Sequence, residues 1–519
     1  MLSCTGKRSR HATTISMLSD NVLLDIFDFC QKNHDPGPRF EELPGAVWDW
    51  HILAHVCRRW RQAVFASPLR LNIRILCKHG TPVWKNLGIW PTFPIHIEYL
   101  YPKTIEGADE DSVIAALEHT DRVCAIGLWL TGSQLRKMTT VMQKPFPVLT
   151  HLALWMQMLN DARNDVPVLP CKFLGKSAPR LQTISFSGIP FPALPALLLS
   201  ASDLVTLILY NIPQTGYISP EAMVVALATL TRLEDLRIGF RSPASRPDRI
   251  HLPPVTRTVL PALIFFDFHG AREYLENFVA LIYAPKLDLI SVEYFNQLID
   301  FEVPQLWQFV NFSEGLSQPM RGFVEFQDKL FTFGAGPTTH IHESFDAFPR
   351  HILVRILCEG IDWQVSHVGQ ALNQMSMILS NMLHLAIVSD SISPEPEEMD
   401  DIEWLQLLRP FSSVRTLFVS REFAGHLSHA LEGIPEMTAT EVLPALNMLC
   451  LEDQPMSSVH KFITACWDSG RPVTNVNTRS KFEERLMSYQ EINPTPSRAG
   501  APVDASSKCT SKCDAHLIL

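Results

Sequence analysis

Nothing in this 519-residue sequence is long and apolar enough to span a bilayer. The richest apolar run, Ala193 to Tyr210, is broken by Pro195, Ser200, Ser202 and Asp203, whereas a spanning helix needs about 20 predominantly apolar residues. An apolar leader is missing too: Lys7, Arg8, Arg10 and polar residues precede Ser16, so neither a secretory signal nor a membrane partner is expected. The 11 cysteines show no paired spacing, which points to reduced thiols in a cytoplasmic or nuclear protein. Cys57, Cys77, Cys124 and Cys450 stand in apolar company and are expected to be buried as small hydrophobes. Cys509 and Cys513 have the wrong spacing for a zinc ribbon and no downstream His or Cys pair, so no metal is expected there.

Motifs of enzyme chemistry are absent as well. The sequence has no Gly-x-Ser-x-Gly elbow, no Gly-x-x-x-x-Gly-Lys-Ser/Thr loop, no His-Glu-x-x-His and no Gly-x-Gly-x-x-Gly after a strand. Gly334-Ala335-Gly336 lacks a third glycine, is followed by proline and reads as a turn. His340, His342 and Glu343 form the densest His/acid cluster, and three polar residues in a loop read as solvated rather than metal-bound. The 19 histidines are otherwise scattered. Asp468-Ser469-Gly470 is too short to indicate a phosphorylation motif. No catalytic residue and no cofactor are expected. A net charge of −10 argues against nucleic-acid binding by bulk charge, and Arg58, Arg59 and Arg61 make only a short basic run.

What is present is a folded, repetitive chain. Its hydrophobic content of 46% supports a packed core, and its length exceeds what one ordinary core holds. Near the start, Leu18-Ser19-Asp20 followed by Val22, Leu23, Leu24, Ile26 and Phe27 reads as an amphipathic helix, with Ser19 as N-cap and Asp20 suited to the positive end of the dipole. Leu53, Val56, Cys57, Trp60 and Val64 follow at helical spacing, as one single-faced helix or a helix pair. They end at Ser67-Pro68, because proline cannot continue a helix.

Leu18, Ile26-Phe27, Val56-Cys57-Arg58-Arg59-Trp60 and Ser67-Pro68-Leu69 resemble an F-box as found in fungal F-box proteins. That resemblance implies a three-helix module at residues 17–72 that docks on a Skp-type adaptor and, through it, on a cullin of a ubiquitin ligase. The implied contact residues are Leu18, Leu23, Leu24, Ile26, Phe27, Leu53, Val56, Cys57 and Trp60.

Beyond this module an apolar-x-x-apolar-x-apolar phrase recurs nine times. Its instances begin at Leu149, Leu181, Leu204, Leu233, Leu263, Leu287, Met382, Val414 and Leu446, and apart from one gap of 95 residues the steps run from 23 to 32. One such unit cannot cover its own apolar face and must stack on its neighbours. Helix-like stretches fall between the phrases, at Pro220 to Leu230, Ala271 to Tyr283, Val365 to Leu379 and Phe423 to Leu431. The phrase resembles an irregular leucine-rich repeat; its closing Asn is mostly missing, with Asn211 the nearest match. In the gap, Phe323 to Phe326 and Leu330 to Phe333 alternate as a hairpin, and Ile352 to Leu357 reads as a further repeat strand.

The expected fold class is therefore α/β, a short all-α module followed by a curved repeat solenoid. The expected layout is a disordered start at 1–16, the module at 17–72, a linking or capping segment at 73–119, the solenoid at 120–480 with an irregular insertion near 288–381, and a disordered tail at 493–519. Pro394 to Asp401 reads as a solvated acidic loop. With the phrase residues turned inward, the intervening positions line the open face of the strands, which makes Trp155, Ser187, Tyr210, Arg237, Asp267, His269 and Glu293 the candidate surface for a substrate protein. The function implied by the two resemblances is substrate recognition in a Skp-cullin-F-box ligase; the other reading is a repeat scaffold without a ligase.

Overall fold

A computed structural model describes residues 18–32, 50–67, 71, 74–79, 87, 93–99, 105, 107–157, 166–245, 247, 256–295, 302–316, 319–327, 330–337, 351–357, 368–369, 371–389, 401–433, 441–471 and 473–477. The terminal segments 1–16 and 493–519, residues 394–400 of the acidic loop, the cluster at His340 to Glu343 and the Cys509/Cys513 pair lie outside these residues; Asp401, read as the end of that loop, instead opens the helix Asp401–Leu408. Three helices come first: α1 (Asp20–Lys32), α2 (Trp50–Val56) and α3 (Arg58–Ala66). Ser19 starts α1, its Oγ accepting the N–H of Val22 at 3.4 Å and its carbonyl the N–H of Leu23 at 3.0 Å.

The stretch from Leu53 to Val64 is a helix pair, and the break falls at Cys57. That residue is extended, and its sulfur accepts the N–H of Trp60 at 3.4 Å as the cap of α3. Capping holds the thiol at the surface, so Cys57 is exposed rather than buried as its apolar neighbours suggested. Cys77 and Cys124 are buried, and Cys450 is half-buried. The guanidinium of Arg59 ties α3 to α1, reaching Asp20 Oδ1 at 2.8 Å and the carbonyl of Leu18.

The rest of the described chain is a mixed α/β structure built on one 16-stranded sheet. Its first half runs β1 (Ile75–Cys77), β2 (Ile95–Tyr99), β3 (Val123–Leu130), β4 (His151–Met156), β5 (Thr183–Ser187), β6 (Thr206–Ile212) and β7 (Asp235–Phe240). A short parallel pair, β8 (Thr258–Val259) with β10 (Ile282–Tyr283), stands apart, while β9 (Phe265–Gly270) and β11 (Leu289–Tyr294) continue the main sheet. The second half comprises β12 (Arg321–Gln327), β13 (Leu330–Gly336), β14 (Ile352–Leu357), β15 (His384–Ser389), β16 (Thr416–Val419), β17 (Met448–Leu451) and β18 (Asn475–Asn477). The sheet therefore begins well before residue 120, because segment 73–119 contributes β1 and β2.

Strands lie in chain order and parallel except at one place. β14 joins β11 in parallel, and the antiparallel pair β12 and β13 sits between β14 and β15. Gly334-Ala335-Gly336 is thus the end of strand β13 and not a turn. The ring of Phe323 on β12 lies over Gly334, where an added Cβ would come within 2.1 Å of it. Glycine stands there for ring packing rather than for chain reversal.

Every apolar residue of the nine phrases is buried. The first one also closes a turn, its N–H bonded to a buried apolar residue three positions earlier: Leu149 to Phe146, Leu204 to Ala201, Leu233 to Leu230, Val414 to Phe411, and the same at the other five. Such a turn pays for strand entry with local hydrogen bonds, and it fixes which side chains start each strand facing inward. The helices pack along this inward face, as ring contacts show for Phe266 with Phe278 (5.7 Å), Phe240 with Tyr274 (4.6 Å) and Phe326 with Phe423 (5.1 Å). Neighbouring helices touch one another in chain order, Pro220–Leu227 with Arg272–Leu281 and that helix with Pro304–Asn311. Carboxylates bridge some of these contacts. Glu276 accepts the N–H groups of Gln305 and Leu306, each at 2.9 Å, and Glu432 that of Lys461 at 3.0 Å, so one helix caps the next.

Candidate functional site

Two surfaces carry the sequence-derived residues. On the three-helix module the set splits. Leu23, Leu24 and Phe27 are buried, and Trp60 packs edge-on against Phe27 at 4.7 Å, so these form the module's own core. Leu18 and Leu53 are half-buried against the same core. Ile26 (42% exposed) and Val56 (56%) face solvent, joined by Val22 (41%) and Phe29 (66%), which the sequence reading did not select. Val22, Ile26 and Phe29 fall at i, i+4 and i+7, one stripe of α1. Helical spacing alone could have named Phe29; the resemblance took Ile26 from this stripe together with Leu23, Leu24 and Phe27 from the inward one. Single exposed apolar residues are ordinary, but a stripe of them marks a contact surface.

The second surface is the sheet face opposite the helices. Trp155, Ser187, Tyr210, Arg237, Asp267, His269 and Glu293 all lie on it, each half-buried. Trp155, Ser187 and Tyr210 are direct register partners on β4, β5 and β6, Arg237 pairs with Asp267 across β7 and β9, and His269 with Glu293 across β9 and β11. Asn211, the nearest match to the family's closing Asn, takes a left-handed conformation (φ 51°) at a register shift between β6 and β7, and its Nδ2 donates to Ser187 Oγ at 3.3 Å.

Hydrogen bonds hold these side chains in place. Trp155 Nε1 donates to Ser185 Oγ at 2.9 Å, and the indole meets that of Trp129 edge-on at 6.0 Å. Tyr210 reaches across β7, over Gly239, and donates to Asp267 Oδ2 at 2.8 Å; an added Cβ at Gly239 would stand 3.0 Å from its ring. Burial, and then the Asp267 carboxylate, push the Tyr210 phenol above its ordinary value, so it remains a donor. Arg237 makes a two-pronged pair with Asp235 (2.9 and 2.8 Å) and lies over the Phe265 ring at 4.7 Å. Glu293 stands 3.6 Å from both His269 Nε2 and Arg355 Nη1. Trp129 and Arg355 went unselected, although Ile126/Leu128/Leu130 flank Trp129 with the alternation of a strand.

Among the described residues no group of three or more His, Cys, Asp or Glu could hold a metal ion, and no helix is long and apolar enough to cross a membrane. No protein-family model matches the chain, and no curated protein is similar to it.

Proposed function

We propose that this protein is the substrate-recognition subunit of a Skp-cullin-F-box ubiquitin ligase, its three-helix module an F-box and its sheet a leucine-rich-repeat-like solenoid. One observation carries the reading: α1 keeps Leu23, Leu24 and Phe27 for its own core while presenting Val22, Ile26 and Phe29 outward, so the module has an apolar contact surface to spare. A receptor of this kind accelerates ubiquitin transfer by holding its substrate near the transfer site, which needs two binding surfaces and no chemistry of its own. The half-buried row on the open sheet face supplies the second.

Affinity purification of the full chain from cells, followed by mass spectrometry, tests the reading. An Skp-type adaptor and a cullin should co-purify with the wild type and be lost from the Ile26→Asp/Phe29→Asp variant, whose altered positions are exposed and leave the module core intact. Equal recovery of both proteins with the variant would contradict it. The scaffold reading predicts partners on the sheet face but neither adaptor nor cullin.

A further inference from the structure

One stretch of the rim where the strands begin carries charge of a single sign. Between Arg136 and Ser202 the described residues include Arg136, Lys137, Lys144, Lys172, Lys176 and Arg180 and no Asp or Glu, in a chain whose net charge is −10. At its borders the cations are matched: Lys137 meets Glu110 at 2.5 Å, and Arg232 meets Asp203 at 3.3 Å. Lys144, Lys172, Lys176 and Arg180 are exposed, and among the described residues no carboxylate pairs with any of them.

Packing gathers these four. Lys144 lies between the helix Gly132–Val141 and β4, and the other three lie between β4 and β5, which are neighbours in the sheet. The N–H of Leu174 donates to the Met142 carbonyl at 2.7 Å, and an added Cβ at Gly175 would stand 2.8 Å from the Pro145 nitrogen, so the turn of Lys172 and Lys176 lies directly beside Lys144. Leu174, Gly175 and Lys176 all take left-handed conformations (φ 51°, 64° and 63°), which persist only where the surroundings hold them. Buried Leu174 and Phe173 do so, the Phe173 ring meeting Phe191 at 5.5 Å and Phe186 at 6.4 Å. Further on, Ser200 Oγ accepts the N–H of Ala178 at 3.1 Å and fixes the chain that leads to Arg180. The backbone beneath the cations is thus set in advance, and a ligand need not order it.

We propose that this rim patch binds a short acidic segment of a partner protein, a run of Asp and Glu laid along Lys144, Lys172, Lys176 and Arg180. The range of the field selects the partner. At physiological salt, exposed charges are screened beyond about 8 Å, so a short peptide meets only the local cations. A nucleic acid or an anionic bilayer extends past the patch and meets the acidic remainder of the chain as well. The patch shares no residue with the α1 stripe or with the row on the open sheet face, and the proposal depends on neither.

The test is fluorescence anisotropy of labelled hexaglutamate titrated with the full chain. Saturable binding that weakens with added salt is expected, with about tenfold loss or more in the Lys144→Gln/Lys172→Gln/Arg180→Gln variant, because exposed ion pairs contribute little singly and three are removed together. All three positions are exposed, so the melting temperature should hold. The Arg58→Gln/Lys286→Gln/Arg409→Gln variant, which removes the same net charge at exposed positions elsewhere, should bind as the wild type does. Absence of binding to the wild type, equal loss in the two variants, or equal binding of hexaglutamine would each overturn the proposal. Tighter binding of a single-stranded oligonucleotide or of phosphatidylserine vesicles would overturn it too, and would assign the patch to that polyanion. Because no adaptor is present in the assay, such results leave the adaptor reading standing, and the Ile26→Asp/Phe29→Asp variant should bind the peptide as the wild type does.

Discussion

At the scale of single residues, the positions that matter most are those where one side chain makes room for, or completes, another. Gly334 is occupied from above by the Phe323 ring, so Gly334→Ala should destabilise the β12–β13 pair by about 1–3 kcal/mol, the range for overpacking, as read from denaturant unfolding. A neutral result would mean that the ring turns away freely. Glu276 is the other case. Burial pushes its carboxyl up from 4.5 to about 7, while the N–H groups of Gln305 and Leu306 and the charge of Arg272 pull the other way; Tyr294 also lies within its field. Because the folded value lies above the unfolded one, the folded protein holds the extra proton between these two pH values. Its contribution is then fullest below pH 4.5 and declines as pH rises to about 7. Glu276→Gln cannot titrate, so the melting-temperature difference between wild type and variant should shrink or reverse over that interval and level off above it. A difference independent of pH would show that Glu276 does not change protonation there.

At the scale of elements, the phrase was legible because burial imposes period two on a strand and the second and third apolar residues of all nine phrases obey it, while the first belongs to the entry turn. Leu207→Ala should cost about 2–5 kcal/mol, whereas Ile208→Ala, on the opposite face, should cost much less; equal losses would contradict the register. Other features were not legible. The upstream apolar residue that closes each entry turn is Phe146, Ala178, Leu230 or Leu379 by turns, too varied in type to stand out in a leucine-rich chain. Strands β1 and β2 carry no full phrase, and β2 faces both ways with buried side chains, His96 among them. The cap by Cys57 depends on one extended residue, and helical spacing continues across it unchanged. In α1 the spacing found an amphipathic helix, but two apolar stripes share it, and only packing against Trp60 and Val64 decides which one turns inward.

At the scale of the whole molecule, a helical module with an outward apolar stripe is followed by a long sheet whose face opposite the described helices displays fixed aromatic and acidic side chains. The two surfaces are separate in sequence and in side-chain chemistry, as a protein that holds two partners at once requires. The central claim is that the first surface takes an Skp-type adaptor, and the most direct measurement is titration calorimetry of the purified full chain with a purified adaptor. The account predicts saturable one-to-one binding that is abolished by Ile26→Asp/Phe29→Asp and retained by Trp155→Ala/Tyr210→Ala. No heat of binding from the wild type, or undiminished binding by the α1 variant, would contradict it.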